Sequence, residues 1–401
     1  MAERATILRA MKAIRLLALL SVAALAAAQI PLIASAVWQM QESGTTAGLR
    51  GIYSVDGTVA WASGPGGTVL KTIDGGAHWT KCAVPDAATD GASLDFRGVQ
   101  AWDADTAIVM SSGKGRLSRL YKTKDGCKTW KLVLKNPDKD GFWDAIYFDR
   151  GNWGWLLGDP VKGRIVLFAS GDAGKSWIRQ INKGLRVKPG TQSAFAASNS
   201  SLFAWGGFVM SGSGGSGGAN VYEVTQTEIC LDDCSEADMN LDGRNDKWER
   251  QPVPLGQNND SSGVFSIGTR EKSAPASFAS HVFVVVGGDY AKPEVSINTA
   301  AFSTDSGRSW TASTTPPHGF RSAVQWSEAF KAWITVGTNG SDISRDDGKT
   351  WQPLDNGNWN ALSLPFVVGP NGRIAKMNPA AISGPALPAE ARPAKKVPSA
   401  Q

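Results

Sequence analysis

The sequence predicts an all-β protein, a seven-bladed β-propeller of four-stranded antiparallel blades in which the N-terminal strand completes the last blade. Three observations predict it. A short box ending in tryptophan occurs five times, strand-like runs precede each box, and the box tryptophans stand about one blade apart. The composition agrees, because 45 Gly and 16 Trp in 401 residues imply many tight turns and large packing residues. With 42% hydrophobic residues the chain has too much apolar material to be disordered.

In chain order, the first segment reads as an export signal. Arg4, Arg9, Lys12 and Arg15 precede the apolar run 16–28, and Pro31 and the small triplet Ala34-Ser35-Ala36 follow it. That order predicts cleavage between Ala36 and Val37. The run is 13 residues long, short of the roughly 20 that span a bilayer. A mature protein in the periplasm or outside the cell is expected. Charge supports no nucleic-acid partner. The formal net charge of +5 divides into +3 in residues 1–36 and +2 in residues 379–401, so residues 37–378 sum to zero. No basic footprint remains.

The boxes run Thr72 to Trp79, Thr123 to Trp130, Ser170 to Trp177, Ser303 to Trp310 and Ser344 to Trp351. Each has a hydroxyl residue, Asp two places on, small residues, and Trp seven places after the hydroxyl. Asp accepts backbone hydrogen bonds in a tight turn and Gly supplies positive φ, so each box predicts a hairpin turn. The second box carries Cys127 where Gly is usual. The spacings of the box tryptophans are 51, 47, 133 and 41 residues, and the long gap needs a degenerate blade. Trp248, closing Asp242-Gly243-Arg244-Asn245-Asp246-Lys247-Trp248, fills it. After Trp351, residues 359–377 give strands without a closing box, while Trp38 has no strands ahead of it. Residues 37–42 are therefore expected to supply the missing outer strand, which removes an exposed edge. The predicted organisation is a signal at 1–36, a propeller at 37–378 with an insertion at 223–250, and a disordered Pro/Ala-rich tail at 379–401.

That insertion holds the most specific local motif. Residues 238–249 match the calcium loop D-x-[DN]-x-[DN]-G-x₅-E. The expected ligands are Asp238, Asn240, Asp242, the Arg244 carbonyl, Asp246 and bidentate Glu249, with Gly243 at the bend; the competing reading is an acidic surface loop. Export permits disulfides. Cys230 and Cys234 could staple this loop, and Cys82 and Cys127 could pair across neighbouring repeats or stay free. The Gly-rich run 211–218 lacks the Gly-Lys-Ser/Thr of a phosphate loop and reads as a flexible connector.

The S/T-x-D-x-G-x-x-W element resembles the Asp-box (BNR) repeat of sialidase-like propellers. Residues 66–79, GGTVLKTIDGGAHW, together with Leu49-Arg50-Gly51-Ile52 and Phe96-Arg97-Gly98-Val99, are similar to the repeats of the photosystem II stability and assembly factor family, in its exported, non-photosynthetic bacterial members. This implies structural box aspartates, a ligand face away from the boxes, and a protein partner such as a membrane-protein subunit for a monomeric scaffold. Aligned blade starts place Arg50, Arg97, Asp144, Ala194, Phe265, Arg321 and Asn360 at equivalent positions. Of these, Arg50, Arg97, Asp144, Arg321 and Asn360 are the candidate ligand-binding residues at the funnel. Convergent guanidinium groups would bind an anion or carboxylate; the alternative is that each pairs locally and ties blades together. Three arginines also resemble the sialidase triad, which makes a sialidase-like glycoside hydrolase the competing function. No Arg-Ile-Pro stands near the mature N-terminus, however, and Tyr290 is the only tyrosine suited to a nucleophile pair. No catalytic residue or organic cofactor is assigned, and calcium is expected as a structural ion.

Overall fold

The computed structural model describes residues 36–149, 153–180, 185–225, 248–271 and 281–382. The signal segment lies outside them except for Ala36. Residues 37–382 form seven four-stranded antiparallel sheets. The inner strands are Gly51–Ser54, Phe96–Ala101, Trp143–Phe148, Leu202–Trp205, Ser262–Glu271, Ala323–Ser327 and Ala361–Ser363. Each packs against the next, and the last packs against the first, so the ring is closed.

Closure follows the predicted route. Trp38–Gln41 pairs antiparallel with Ile374–Met377 as the outer strand of blade 7, with Trp38 opposite Met377. Trp38 is buried, and its indole Nε1–H donates to Ser341 Oγ of blade 6 at 3.0 Å. Residues 379–382, assigned by sequence to the tail, instead form a helical turn, Pro379–Ile382. Ile382 is buried there, and its carbonyl accepts from Arg345 Nη2 at 2.7 Å.

Seven apolar clusters hold the described ring, and each lies between two consecutive blades. Trp61, Phe96 and Tyr121 sit between blades 1 and 2, for example, and Ile52, Leu70 and Phe366 between blades 7 and 1. Burying one such side chain contributes roughly 1.5–3 kcal/mol, so the interfaces between sheets carry the fold's stability.

The five boxes share one hydrogen-bond pattern. In blade 1 Thr72 Oγ1 donates to Asp74 Oδ1 at 2.8 Å and accepts from the Gly76 N–H at 2.9 Å. Asp74 Oδ1 then accepts from the His78 N–H at 3.0 Å. The same bonds recur around Asp125, Asp172, Asp305 and Asp346. Every box has positive φ at its fourth and fifth residues, which explains Gly at the fifth in four of them. Cys127 is the exception at φ 68°, and its Sγ is bonded to Cys82 of blade 1. A lysine of the preceding blade bolts three of these turns down. Lys376 donates to the Gly75 carbonyl, Lys71 to Gly126, and Lys122 to Ala173.

Antiparallel order fixes the two faces. Strands alternate in direction, so the boxes, which join third to outer strands, lie on one face. The starts of the inner strands and the loops joining second to third strands lie on the other.

Candidate functional site

The candidate residues sit where the inner strands begin. In blades 2, 3 and 5 the strand is bulged there. Phe96 pairs with Ser111 but Gly98 with Met110, which leaves Arg97 as the extra residue. Asp144 and Phe265 are the extra residues in the same position of blades 3 and 5. A bulge bends its strand and re-aims the extra side chain, which places these three on the rim of the ring. Arg50 and Asn360 directly precede their inner strands, and Arg321 stands two residues before its own. Ala194 lies further ahead of its strand, where Ser193 forms an isolated bridge with Gly214.

Blades 1 to 3 bring charge together. Arg97 Nε donates to Asp95 Oδ2 at 2.7 Å, and its guanidinium lies 5.8 Å from the Phe142 ring. The guanidinium of Arg50, half-buried beside it, has no hydrogen bond or ion pair among the described residues. Burial, and then the Arg97 charge, disfavour its protonated form, while Asp95 partly offsets them. Asp144 is 1% exposed and one of its carboxyl oxygens, Oδ2, has no partner. Burial first and the Asp159 charge second hold it well above the usual carboxylate range; Arg97 and the Asp159 N–H pull the other way. Asp159 accepts the Ala194 N–H at 3.0 Å, and burial pushes it up to about 6. The result is a half-enclosed cluster of two guanidinium groups and three carboxyl groups. Arg50 is the member with charge to spare.

Arg321 and Asn360 are placed differently. Arg321 is fully buried and paired with Asp342, Nε to Oδ2 at 2.6 Å and Nη2 to Oδ2 at 2.5 Å. Its Nη1 donates to Asn339 Oδ1 and to the Phe320 carbonyl. Asn360 Nδ2 donates to the Leu49 carbonyl at 2.8 Å, tying blade 7 to blade 1. The three arginines therefore do not converge: Arg50 and Arg97 share the rim with Asp144, whereas Arg321 is a strut. Asp95 and Asp159 were not among the site residues expected from sequence. Asp95 had a signal, since Asp95 and Arg97 are two apart and share one face of an extended segment. Asp159 read as a turn residue, a role that Asp289 does fill by accepting from Ser261, Asn259 and Ala291.

Of the calcium loop, Asp238, Asn240, Asp242, Arg244 and Asp246 lie outside the described residues, as do Cys230 and Cys234. Glu249 opens the outer strand of blade 4, opposite Glu223. Burial, and then the Glu249 charge, push the Glu223 carboxyl up to about 7. This strand follows Trp248 as the other outer strands follow their box tryptophans. No helix among the described residues is long and apolar enough to cross a membrane.

The fold and this rim define a class, the seven-bladed β-propeller with a charged sector at the start of its inner strands. No family model and no curated protein matches the sequence. Solved structures do match. YCF48 from Cyanidioschyzon merolae is 18% identical, with 86% of this chain and 99% of that one covered at a TM-score of 0.56. A structure of YCF48 bound to a D1 peptide is 16% identical, covering 87% and 99%, with a TM-score of 0.52. U3-55K is 10% identical, covering 86% and 99%, also at 0.52. At these identities the likeness is one of fold.

Proposed function

We propose that this chain is an exported binding scaffold, a monomeric propeller whose rim at blades 1 to 3 recognises an anionic group on a protein partner. The observation that carries the reading is Arg50, a half-buried guanidinium with no ion pair among the described residues, beside a second guanidinium. An anion there relieves like-charge repulsion and replaces lost hydration, and guanidinium pairs bidentately with carboxylate. The fold shared with YCF48, one structure of which holds a D1 peptide, supports a peptide or protein ligand, and a membrane-protein subunit fits that reading. Calcium at 238–249 would serve as a structural ion. The test is affinity capture from the periplasmic fraction, read by mass spectrometry, with wild type and an Arg50→Ala/Arg97→Ala variant. A partner lost in the double variant at unchanged melting temperature supports the proposal; one retained in full overturns it.

One observation favours a second reading. Asp144 and Asp159 are adjacent carboxyl groups with raised affinity for protons, and a sialidase-like hydrolase needs a carboxyl acid of that kind. Release of methylumbelliferone from a sialoside, abolished by Asp159→Asn, would establish it. No turnover by wild type would remove it.

A further inference from the structure

Beside the charged cluster, whose Asp159 accepts from the Ala194 N–H and whose Arg97 Nη1 donates to the Ala196 carbonyl at 3.5 Å, the rim is aromatic. Phe265, the bulged residue of blade 5, stacks on Phe195 of blade 4 with centroids 3.9 Å apart and planes at 18°. It meets Phe320 of blade 6 edge-on at 4.8 Å, and Tyr290 edge-on at 6.0 Å. Phe265 and Phe320 are buried, Phe195 is half-buried, and Tyr290 is 53% exposed. Tyr290 is held in place, since its N–H donates to the Ser261 carbonyl at 3.1 Å. Ile297, on the same loop between the second and third strands, is 66% exposed.

The backbone beneath is shaped for this stack. Gly214 and Gly263 bridge blades 4 and 5, and a Cβ on either would stand 2.8 Å from the Phe195 ring. The Gly-rich run 211–218 is therefore not a slack connector. Residues 211–213 belong to the strand Phe208–Ser213, and Gly214 is glycine because a Cβ there would strike the Ser262 carbonyl and Gly263 backbone of blade 5, and then the Phe195 ring.

A large exposed aromatic on a rigid aromatic base loses little conformational entropy when covered, the property that makes Tyr an anchor at interfaces. The charged cluster adjoins it on the same rim, since Arg97 and Asp159 are bonded to the residues on either side of Phe195. We propose that Tyr290 and Phe195 seat an aromatic or large apolar side chain of an extended peptide whose acidic group is held by Arg50 and Arg97. The inference rests on the rim being the partner-binding face, and charge complementarity selects the occupant. An apolar ligand without an anion would leave Arg50 unpaired, and a free anion would leave Tyr290 uncovered.

The test uses fluorescent peptides in which Asp and Phe are separated by short, medium or long Gly-Ser spacers, with matched peptides lacking either residue. Binding to the full chain is followed by anisotropy. One spacer length is expected to bind best, and Tyr290→Ala should weaken it by about tenfold, the equivalent of one aromatic contact with its buried area. Phe195→Leu should weaken it in the same direction, while the peptide with Asp alone is unaffected by either change. Tyr290 is a surface residue, so its variant reports on binding even if Phe195→Leu proves unstable. If Arg50→Ala/Arg97→Ala abolishes binding and Tyr290→Ala leaves it unchanged, the aromatic seat is overturned and the charged rim stands. If no peptide binds wild type, both fall. Displacement of the best peptide by sialyllactose, but not by the unlabelled peptide, also overturns the peptide seat.

Discussion

Asp159 and Arg321 show how burial divides charged residues of one rim into sensors and struts. Asp159 holds its proton up to about 6, against an ordinary value of 3.8. Between those values the folded protein keeps a proton that the unfolded chain has released. Its contribution to stability is therefore greatest near pH 4 and is lost as pH rises to about 6. Asp144 acts in the same direction. Asp159→Asn keeps an oxygen for the Ala194 N–H and removes the titration. Chemical denaturation across pH 4 to 7 should show the variant gaining on wild type as pH rises; parallel curves would refute the assignment. Arg321→Ala, by contrast, leaves the buried Asp342 with only His318 for a partner and should cost about 3 kcal/mol. Arg50→Ala should be nearly neutral for folding, and comparison of the two unfolding curves distinguishes strut from site.

At the scale of elements, the second box shows how a local rule yields to a neighbour. Its fifth residue needs positive φ, yet Cys127 occupies it and is bonded to Cys82 of the preceding blade. With the cysteines 45 positions apart in sequence, the cross-link restricts the unfolded chain by about 4 kcal/mol in the chain-entropy model. Cys82→Ser/Cys127→Ser should lower stability by about 2–4 kcal/mol, and reductant should do the same to wild type but nothing to the variant. The calcium loop is tested in the same way. Glu249→Gln keeps size and deletes a charge, so it should abolish any protease protection that millimolar calcium gives to segment 226–247. If calcium protects nothing in wild type, the motif match is coincidental. Glu223, opposite Glu249, gives this strand pair a carboxyl repulsion that a bound cation would relieve.

The whole molecule depends on one strand joining its ends. Trp38–Gln41 closes blade 7, and the blade-7 interfaces on both sides depend on that sheet. Deleting residues 37–43 removes the buried Trp38 side chain and opens the edge of Ile374–Met377 to other chains. Light scattering should show association and calorimetry a lower melting temperature. A monomer with unchanged melting would mean that the ring closes without this strand. Opening the ring should also weaken rim binding, because Asn360 and Leu49 join blades 7 and 1 immediately beside Arg50.

The fold was legible in the sequence because its signals are local and repeated. A box needs only eight consecutive residues to form its hydrogen bonds, and five copies at blade spacing leave few other architectures. Closure by Trp38 was also legible, since a wedge without strands and strands without a wedge have one common solution. The site was legible only as a set of aligned positions. Alignment could place Arg50, Arg97 and Arg321 together, but charge pairing depends on neighbours far apart in sequence. Asp342 encloses Arg321, Asp95 takes Arg97, and nothing described takes Arg50. The aromatic sector was hidden for the same reason. Phe195, Phe265, Tyr290 and Phe320 belong to three blades and meet only where glycine backbones let the rings lie close. Backbone turns are written in short stretches of sequence; burial and partnership are decided only when the ring closes.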